Sequence, residues 1–242
     1  MSDRPALSPS SGPVLAEDFD LYATQYDEAL NQGLSVSGEG KEYFAERRVM
    51  WLADHLDRLR VKPDKVMDFG CGTGSSVPFL LDRIHPASIV GIDSSPASLA
   101  RARELHQAPE VSFFTPSSFL VRDEVDLAFC NGVFHHIPPA HRREVLDYIR
   151  DSMRPGGLFA LWENNPWNPG TRYVMKRIPF DKDAVMLWPA ETRLLVRSAG
   201  FTVLSTNFLF IFPRPLSLFR PVEPLARRLP LGAQYQVLCK KA

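Results

Sequence analysis

The chain has 242 residues, 45% of them hydrophobic, which is enough for one larger domain to bury a core without help from disulfides or metals. Its 28 lysines and arginines balance 28 aspartates and glutamates, so no net positive charge attracts nucleic acid, which is therefore a disfavoured partner. Cys71, Cys130 and Cys239 lack the spacing of a zinc site or a disulfide framework, which predicts a cytoplasmic protein with no bound metal.

The amino-terminal part divides into a tail and a helical segment. Residues 1–16 are rich in serine and proline and lack the apolar core of a signal peptide, so they are predicted to be a disordered tail. Residues 17–242 are predicted to form a single domain. Within it, residues 17–60 form an N-terminal helical cap, because the apolar residues of Lys41–Leu59 recur at helical spacing. No apolar run approaches the roughly 20 residues of a spanning helix, so no integral membrane span is expected.

Strands and helices alternate after this cap. The predicted segments are strand Lys65–Phe69, helix Ser76–Ile84, strand Ser88–Asp93, helix Ala97–His106, strand Val111–Phe114, strand Val125–Cys130, helix Arg142–Met153 and strand Leu158–Glu163. Strands that alternate with helices are typical of βαβ units, in which neighbouring strands run parallel. The sequence therefore predicts an α/β fold built on a parallel sheet.

The alternation of strands and helices is interrupted after the fifth predicted strand. Asn164–Gly170 is a polar segment rich in turn residues and longer than a minimal connection. A helix is predicted over Ala190–Ala199, followed by Thr202–Phe212 and Gln234–Cys239 as an antiparallel pair of strands. Between these strands, residues 213–231 form an insert of short helices with a basic rim. The insert could cover an apolar substrate or make weak contact with a membrane surface, but packing as a plain surface helix is slightly favoured.

A glycine-rich loop follows the first strand and reads Asp68-Phe69-Gly70-Cys71-Gly72-Thr73-Gly74. Its bare backbone lets a ligand approach closely. Roughly 25 residues later Asp93 ends the next strand, where a carboxylate can accept hydrogen bonds from both hydroxyls of a ribose. A dinucleotide fingerprint would need glycine or alanine where Ser75 stands. The acid Asp68 would repel a pyrophosphate but suits a ligand with an ammonium group.

These motifs resemble those of the class I S-adenosylmethionine-dependent methyltransferase family, and the resemblance covers most of Val66–Ala242. Further matching segments are Asp126–His136 at the fourth strand, Pro155-Gly156-Gly157 before the fifth strand and, upstream, Phe19–Asp27. The resemblance implies a Rossmann-like, doubly wound, mostly parallel seven-stranded sheet with an antiparallel last strand and helices on both faces. It also implies a single methyltransferase domain and S-adenosylmethionine as the cofactor.

In that family the glycine loop lies under the methionine and ribose portions of the cofactor, and the segment that ends the fourth strand faces the methionine and the substrate. This chain departs from many relatives after the third strand, because Phe113–Phe119 contains no acidic residue to contact the adenine. Ser117 is assigned there, with its neighbours as alternatives. The residues assigned to the cofactor are Tyr26, Asp68, Gly70, Cys71, Gly72, Gly74, Asp93, Ser94, Ser117 and Asn131.

Three ionisable residues at strand ends are candidates for catalysis. Glu163 follows the fifth strand and His135 and His136 follow the fourth, at the edge where ligands gather in open sheets. Each could take a proton from a methyl acceptor. The alternatives are that Glu163 only caps a turn and that the histidines only form local hydrogen bonds.

The segment after the fifth strand supplies the candidate substrate-binding residues Asn164, Trp167 and Arg172, with turn formation and solvation as the alternatives. The motif set and the balanced charge predict an S-adenosylmethionine-dependent methyltransferase that acts on a small molecule. One alternative is a catalytically inactive S-adenosylmethionine-binding partner or regulatory module of the same fold. Another is a protein or RNA methyltransferase, which would need a broad contact surface. No motif indicates the acceptor or the oligomeric state.

Overall fold

A computed structural model describes residues 33–181 and 184–242 of the chain. In this part of the chain seven strands form one sheet in the order β3-β2-β1-β4-β5-β7-β6. The strands are β1 Lys65–Phe69, β2 Ser88–Ile92, β3 Val111–Phe114, β4 Val125–Asn131, β5 Met153–Asn164, β6 Phe201–Leu209 and β7 Gln234–Lys241. Neighbours pair in parallel except that β7 is antiparallel to both β5 and β6. The predicted sheet, including its antiparallel last strand, is confirmed.

Helices cover both faces of the sheet. In the described residues they are α1 Lys41–Leu59, α2 Val77–Ile84, α3 Pro96–Leu105, α4 Arg142–Ser152, α5 Pro169–Met175, α6 Pro189–Ser198 and α7 Glu223–Ala226. One hydrophobic core contains Leu52, Leu80 and Leu99 from α1, α2 and α3, and the core on the opposite face contains Leu146 and Val196 from α4 and α6. Burying both faces explains why the central strands are almost continuously apolar.

The strand order reverses between β1 and β4. The chain adds β2 and β3 on one side of β1 and then crosses to add β4 and β5 on the other. In open α/β sheets, ligands bind in the crevice outside the carboxyl ends of the strands at such a reversal. Asp68 in β1 and Asn131 at the end of β4 both lie at this edge.

Two strand boundaries differ from the prediction by three residues or more. The strand β6 ends at Leu209 rather than Phe212, because Phe210 adopts a φ of 64°, which extended backbone does not allow. The strand β5 begins at Met153 rather than Leu158, because a register shift in its pairing with β4 absorbs the residues between them. The polar segment after β5 also leads directly into α5, which was not predicted.

The insert 213–231 contains a 3-10 helix, Arg214–Val222, and the short α7. Leu218 and Leu225 are 86% and 87% exposed. The weak membrane contact suggested for this insert stays a prediction, and within residues 33–181 and 184–242 no helix has the length and apolar character needed to cross a membrane.

The predicted disordered tail, residues 1–16, lies outside the described residues, as does Tyr26 with the rest of Phe19–Asp27. The helical cap predicted over residues 17–60 is described only from Gly33 onward. There α1 packs on the sheet through Val49, Leu52 and Leu56.

Candidate active site

The glycine loop is an open turn with left-handed backbone at its three glycines. Gly70, Gly72 and Gly74 have φ values of 73°, 53° and 80°. The loop is tied to β2, because the N–H groups of Gly70 and Cys71 donate to the Ile92 carbonyl at 2.7 and 3.1 Å. A Cβ added at Gly70 would clash with Val133, whereas one at Gly72 would have nothing within 4 Å. The loop therefore packs tightly on one side and leaves space above Gly72.

Asp93 fixes the far side of this loop. Its Oδ2 accepts a hydrogen bond from the Gly72 N–H at 2.8 Å, and its Oδ1 accepts one from the Ser95 N–H at 2.9 Å. The predicted cofactor residue Ser94 is exposed beside it. The carboxylate thus joins the open turn to the residue that caps α3.

Asp68 is an unusual carboxyl group because it is buried at the end of β1 and only 3% exposed. Burial, with the negative charge of Asp93, raises its pKa to about 7. A cationic group at this position would stabilise the ionised carboxylate. Burial likewise raises the pKa of the Cys71 thiol, which remains protonated and packs in the core.

Asn131 and Ser117 occupy the same edge of the sheet. The side-chain oxygen of Asn131 is buried with no hydrogen-bond partner among the described residues, so the site contains an unused acceptor. Ser117 is exposed in the turn after β3, and its hydroxyl lies 3.1 Å from that of Thr115. The open space over Gly72, the unused acceptor and the two carboxylates fit a nucleoside with a cationic amino-acid portion. The roles of the individual residues stay predictions.

A buried ion pair joins the ends of β4 and β5. Glu163 is 1% exposed, and its Oε2 lies 2.7 Å from Nδ1 of His135. Its Oε1 accepts a hydrogen bond from the Phe134 N–H at 2.8 Å. Both oxygens of the carboxylate are therefore engaged in holding the segment that follows β4.

Asp181 connects this pair to His136. Its Oδ1 lies 3.6 Å from Nε2 of His135 and 3.3 Å from Nε2 of His136. Burial disfavours a charged His135, but the carboxylates of Glu163 and Asp181 outweigh burial and raise its pKa to about 10. Burial and the positive charge of His135 lower the pKa of His136, despite its contact with Asp181. The cluster therefore holds one cationic and one neutral histidine near pH 7.

The sequence-based assignment missed Asp181 and Arg142. Arg142 is 2% exposed and donates from Nε to the carbonyls of Phe134 and Ile137 at 3.1 and 3.0 Å, which fixes the turn that carries both histidines. Neither residue belongs to a spaced motif. The one available signal was that Arg142 lies one helical turn before Leu146, on the face of α4 that is buried. Side-chain atoms of His135, His136 and Asp181 lie within 4.8 Å of one another, so the absence of a metal stays a prediction.

The three candidate substrate-binding residues have different surroundings. Asn164 accepts a hydrogen bond from the Gln234 amide at 3.1 Å. Trp167 is half exposed and stacks edge-on against Trp188, with 5.6 Å between ring centroids. Arg172 is exposed on α5. The structure brings Glu163, His135 and His136 together. Asn164 instead bonds to Gln234, and Trp167 contacts Trp188. The substrate roles of Asn164, Trp167 and Arg172 stay predictions.

Known proteins of similar sequence are methyltransferases. The sequence pattern of a methyltransferase domain matches residues 67–159. A trans-aconitate 2-methyltransferase of Methylobacterium nodulans is 33% identical over 162 residues, which cover 66% of this chain and 61% of that protein. Another protein of that name, from Rhizobium rhizogenes, is 26% identical over 163 residues, covering 60% and 61%. The chain thus spans about three fifths of the length of these curated relatives.

The fold is also shared with solved structures. A Thermotoga maritima protein described as an S-adenosylmethionine-dependent methyltransferase, possible histamine N-methyltransferase, superposes with a TM-score of 0.64. The superposition covers 94% of this chain and 100% of the other at 19% identity, which establishes a common fold. The sequence match, the curated relatives and the shared fold together support a class I S-adenosylmethionine-dependent methyltransferase.

Proposed function

We propose that the protein transfers a methyl group from S-adenosylmethionine to a small-molecule acceptor. One observation carries this proposal. The ionisable cluster of Glu163, His135, His136 and Asp181 adjoins the cofactor edge of the sheet, which is formed by the carboxyl ends of β1 and β4. A Cβ added at Gly132, the residue after Asn131, would lie 3.6 Å from Cε1 of His135. The cluster that contains His135 and neutral His136 therefore stands beside the segment expected to face the methionine of the cofactor.

The chain's own residues account for cofactor binding in this proposal. Asp93 accepts hydrogen bonds from the ribose hydroxyls, Asp68 faces the ammonium group and Asn131 supplies its unused oxygen. Tyr26, outside the described residues, is assigned to close over the cofactor by analogy with the family. When bound, S-adenosylmethionine supplies a methyl group on a sulfonium, which is already an activated leaving group.

The protein's main contribution to transfer is to hold the acceptor in line with the methyl carbon. For an acceptor hydroxyl, neutral His136 would take the proton that the hydroxyl loses on methylation. Glu163 is a positioning residue, because both of its oxygens are engaged by His135 and Phe134. A carboxylate acceptor would need no base at all.

The first acceptors to test are small carboxylic acids, because two relatives are named trans-aconitate 2-methyltransferase. The experiment incubates the full chain with S-adenosylmethionine labelled in its methyl group and a panel of metabolites that includes trans-aconitate. We expect a labelled product of low molecular mass, and less of it with Asp93→Ala when the cofactor concentration is near the wild-type Kd. Cofactor binding without label in any small molecule would indicate an inactive binding module and contradict the proposal.

A further inference from the structure

A cavity lies beside β6, the strand at the free edge of the sheet. It measures about 440 Å³, within the size range of small-molecule sites. The residues that line it come from α1, α6, β6 and the insert: His55, Arg193, Leu204, Ser205, Thr206, Asn207, Phe208, Arg227 and Arg228. Three guanidinium groups and one imidazole therefore converge on it, and no aspartate or glutamate belongs to its lining.

The three arginines lack the acidic partners that several other arginines of the described residues have. Arg101 and Arg143, for example, each lie within 2.9 Å of a carboxylate. Within residues 33–181 and 184–242, by contrast, no carboxylate forms an ion pair with Arg193, Arg227 or Arg228. Like charges that converge repel one another, so their arrangement is stabilised when an anion binds between them.

The backbone of β6 adds donors to the same place. The Phe208 N–H donates to the Arg227 carbonyl at 2.7 Å, which fastens the insert against the outer edge of β6. Because N–H groups alternate in direction along a strand, the N–H of Thr206 points toward the same edge. Thr206 itself lines the cavity, and its hydroxyl oxygen is buried with no partner among the described residues.

The cavity is separate from the cofactor edge. Two strands, β5 and β7, lie between β4 and β6 in the sheet. At the usual strand spacing, β6 is about 14 Å from β4, which carries Asn131. A molecule bound here would therefore leave the glycine loop and Asp93 accessible.

We propose that this cavity binds a small molecule carrying at least two negatively charged oxygen groups, either phosphates or carboxylates. Guanidinium groups present planar pairs of N–H donors that match both. The volume admits a compact polyanion and excludes a nucleic acid duplex. A lipid headgroup of the same chemistry is the other source, because exposed leucines lie nearby in the insert, and the experiment separates the two.

The test measures binding of inorganic pyrophosphate to the full chain by calorimetry in a buffer free of other multivalent anions. We expect Arg193→Gln/Arg227→Gln/Arg228→Gln to weaken binding by on the order of tenfold or more, because charge-assisted hydrogen bonds are lost. The control Arg101→Gln/Arg122→Gln/Arg143→Gln removes the same charge elsewhere and should bind as the wild type does. Saturating S-adenosylmethionine should leave pyrophosphate affinity unchanged.

A second arm measures sedimentation with phosphatidylcholine vesicles, with and without phosphatidylglycerol. If the protein binds anionic vesicles but not pyrophosphate, and the arginine variants lose this binding, the ligand is a lipid headgroup with the same oxyanion chemistry. The single variant Arg228→Gln, at an exposed position, provides a weakened but folded form if the triple variant does not fold. Binding of neither pyrophosphate nor anionic vesicles, or equal binding by wild type and arginine variants, would overturn the proposal.

Discussion

The carboxylate of Glu163 lies 2.7 Å from Nδ1 of His135 inside the protein, and this contact joins the ends of β4 and β5 beside the cofactor edge. A buried, fully engaged carboxylate is poorly placed to receive a proton from an acceptor. Its effect passes through His135, Asp181 and finally His136. The expected role of Glu163 is therefore to keep His135 charged and the following turn in place.

Glu163→Gln keeps the shape of this side chain but removes its charge. With an acceptor hydroxyl, which must lose a proton, we expect turnover to fall by about a hundredfold, the lower end of what general acid–base catalysis contributes, while cofactor affinity is retained. The pKa of His135 should fall from about 10, because its carboxylate partner is lost, and NMR titration of the ring would show this. The control Glu144→Gln changes an exposed acid beside His141. Unchanged turnover of such an acceptor by Glu163→Gln would show that the cluster around His135 does not take part in the reaction.

Gly72→Ala tests the open space in the glycine loop. An alanine at φ of 53° costs about 1 kcal/mol of strain but meets no neighbouring atom, so the protein should fold. Its methyl group would occupy the space expected to hold the cofactor, and affinity for S-adenosylmethionine should fall. Gly156→Ala is the matched control, because Gly156 has a similar positive φ at the start of β5 and a Cβ there would make only ordinary contact. Equal cofactor affinity in both variants would place the cofactor elsewhere.

The pKa of Asp68, raised to about 7, predicts opposite pH dependences for cofactor binding and for stability. An ionised carboxylate attracts the ammonium group, so affinity should fall as the pH falls below about 7. The folded free protein holds this proton more tightly than the unfolded chain, whose carboxyl titrates near 3.8. Its stability should therefore rise as the pH falls from 7, by up to about 1.4 kcal/mol per pH unit.

Asp68→Asn should remove both dependences. Calorimetric affinity and urea unfolding are measured for wild type and variant between pH 5 and pH 8, a range of about three units around the shifted value. The difference between the two proteins isolates Asp68 from the other titrating groups. If cofactor affinity depended on pH in the same way in the wild type and in Asp68→Asn, a contact between Asp68 and a cationic part of the cofactor would be contradicted.

The cofactor edge could be predicted from sequence because its parts are local. A short apolar strand, a glycine loop and an acid after the next strand are each readable within a few residues, and parallel pairing brings the ends of the strands together. The glycine loop and Asp93 indeed meet, through the Gly72 N–H.

The cluster around His135 and His136, where the methyl acceptor is proposed to bind, could not be predicted in the same way. Asp181 reaches the histidines from a 3-10 turn, Pro179–Asp181, that no periodicity or motif marks. Arg142 binds three carbonyl groups, including that of Val185, which lies in a separate segment. Such contacts depend on tertiary packing between distant segments, and hydrophobic periodicity indicates only which face of an element is buried.

Calorimetric titration with S-adenosylmethionine tests the central claim most directly. The wild type should bind one cofactor per chain. Asp93→Ala should weaken binding by roughly tenfold to a hundredfold, because hydrogen bonds to a charged group are worth about 1.5–3 kcal/mol and the anchor of Gly72 is also lost. The control Asp82→Ala changes an exposed acid on α2 and should bind as the wild type does. No binding by the wild type, or unchanged affinity in Asp93→Ala, would contradict the account.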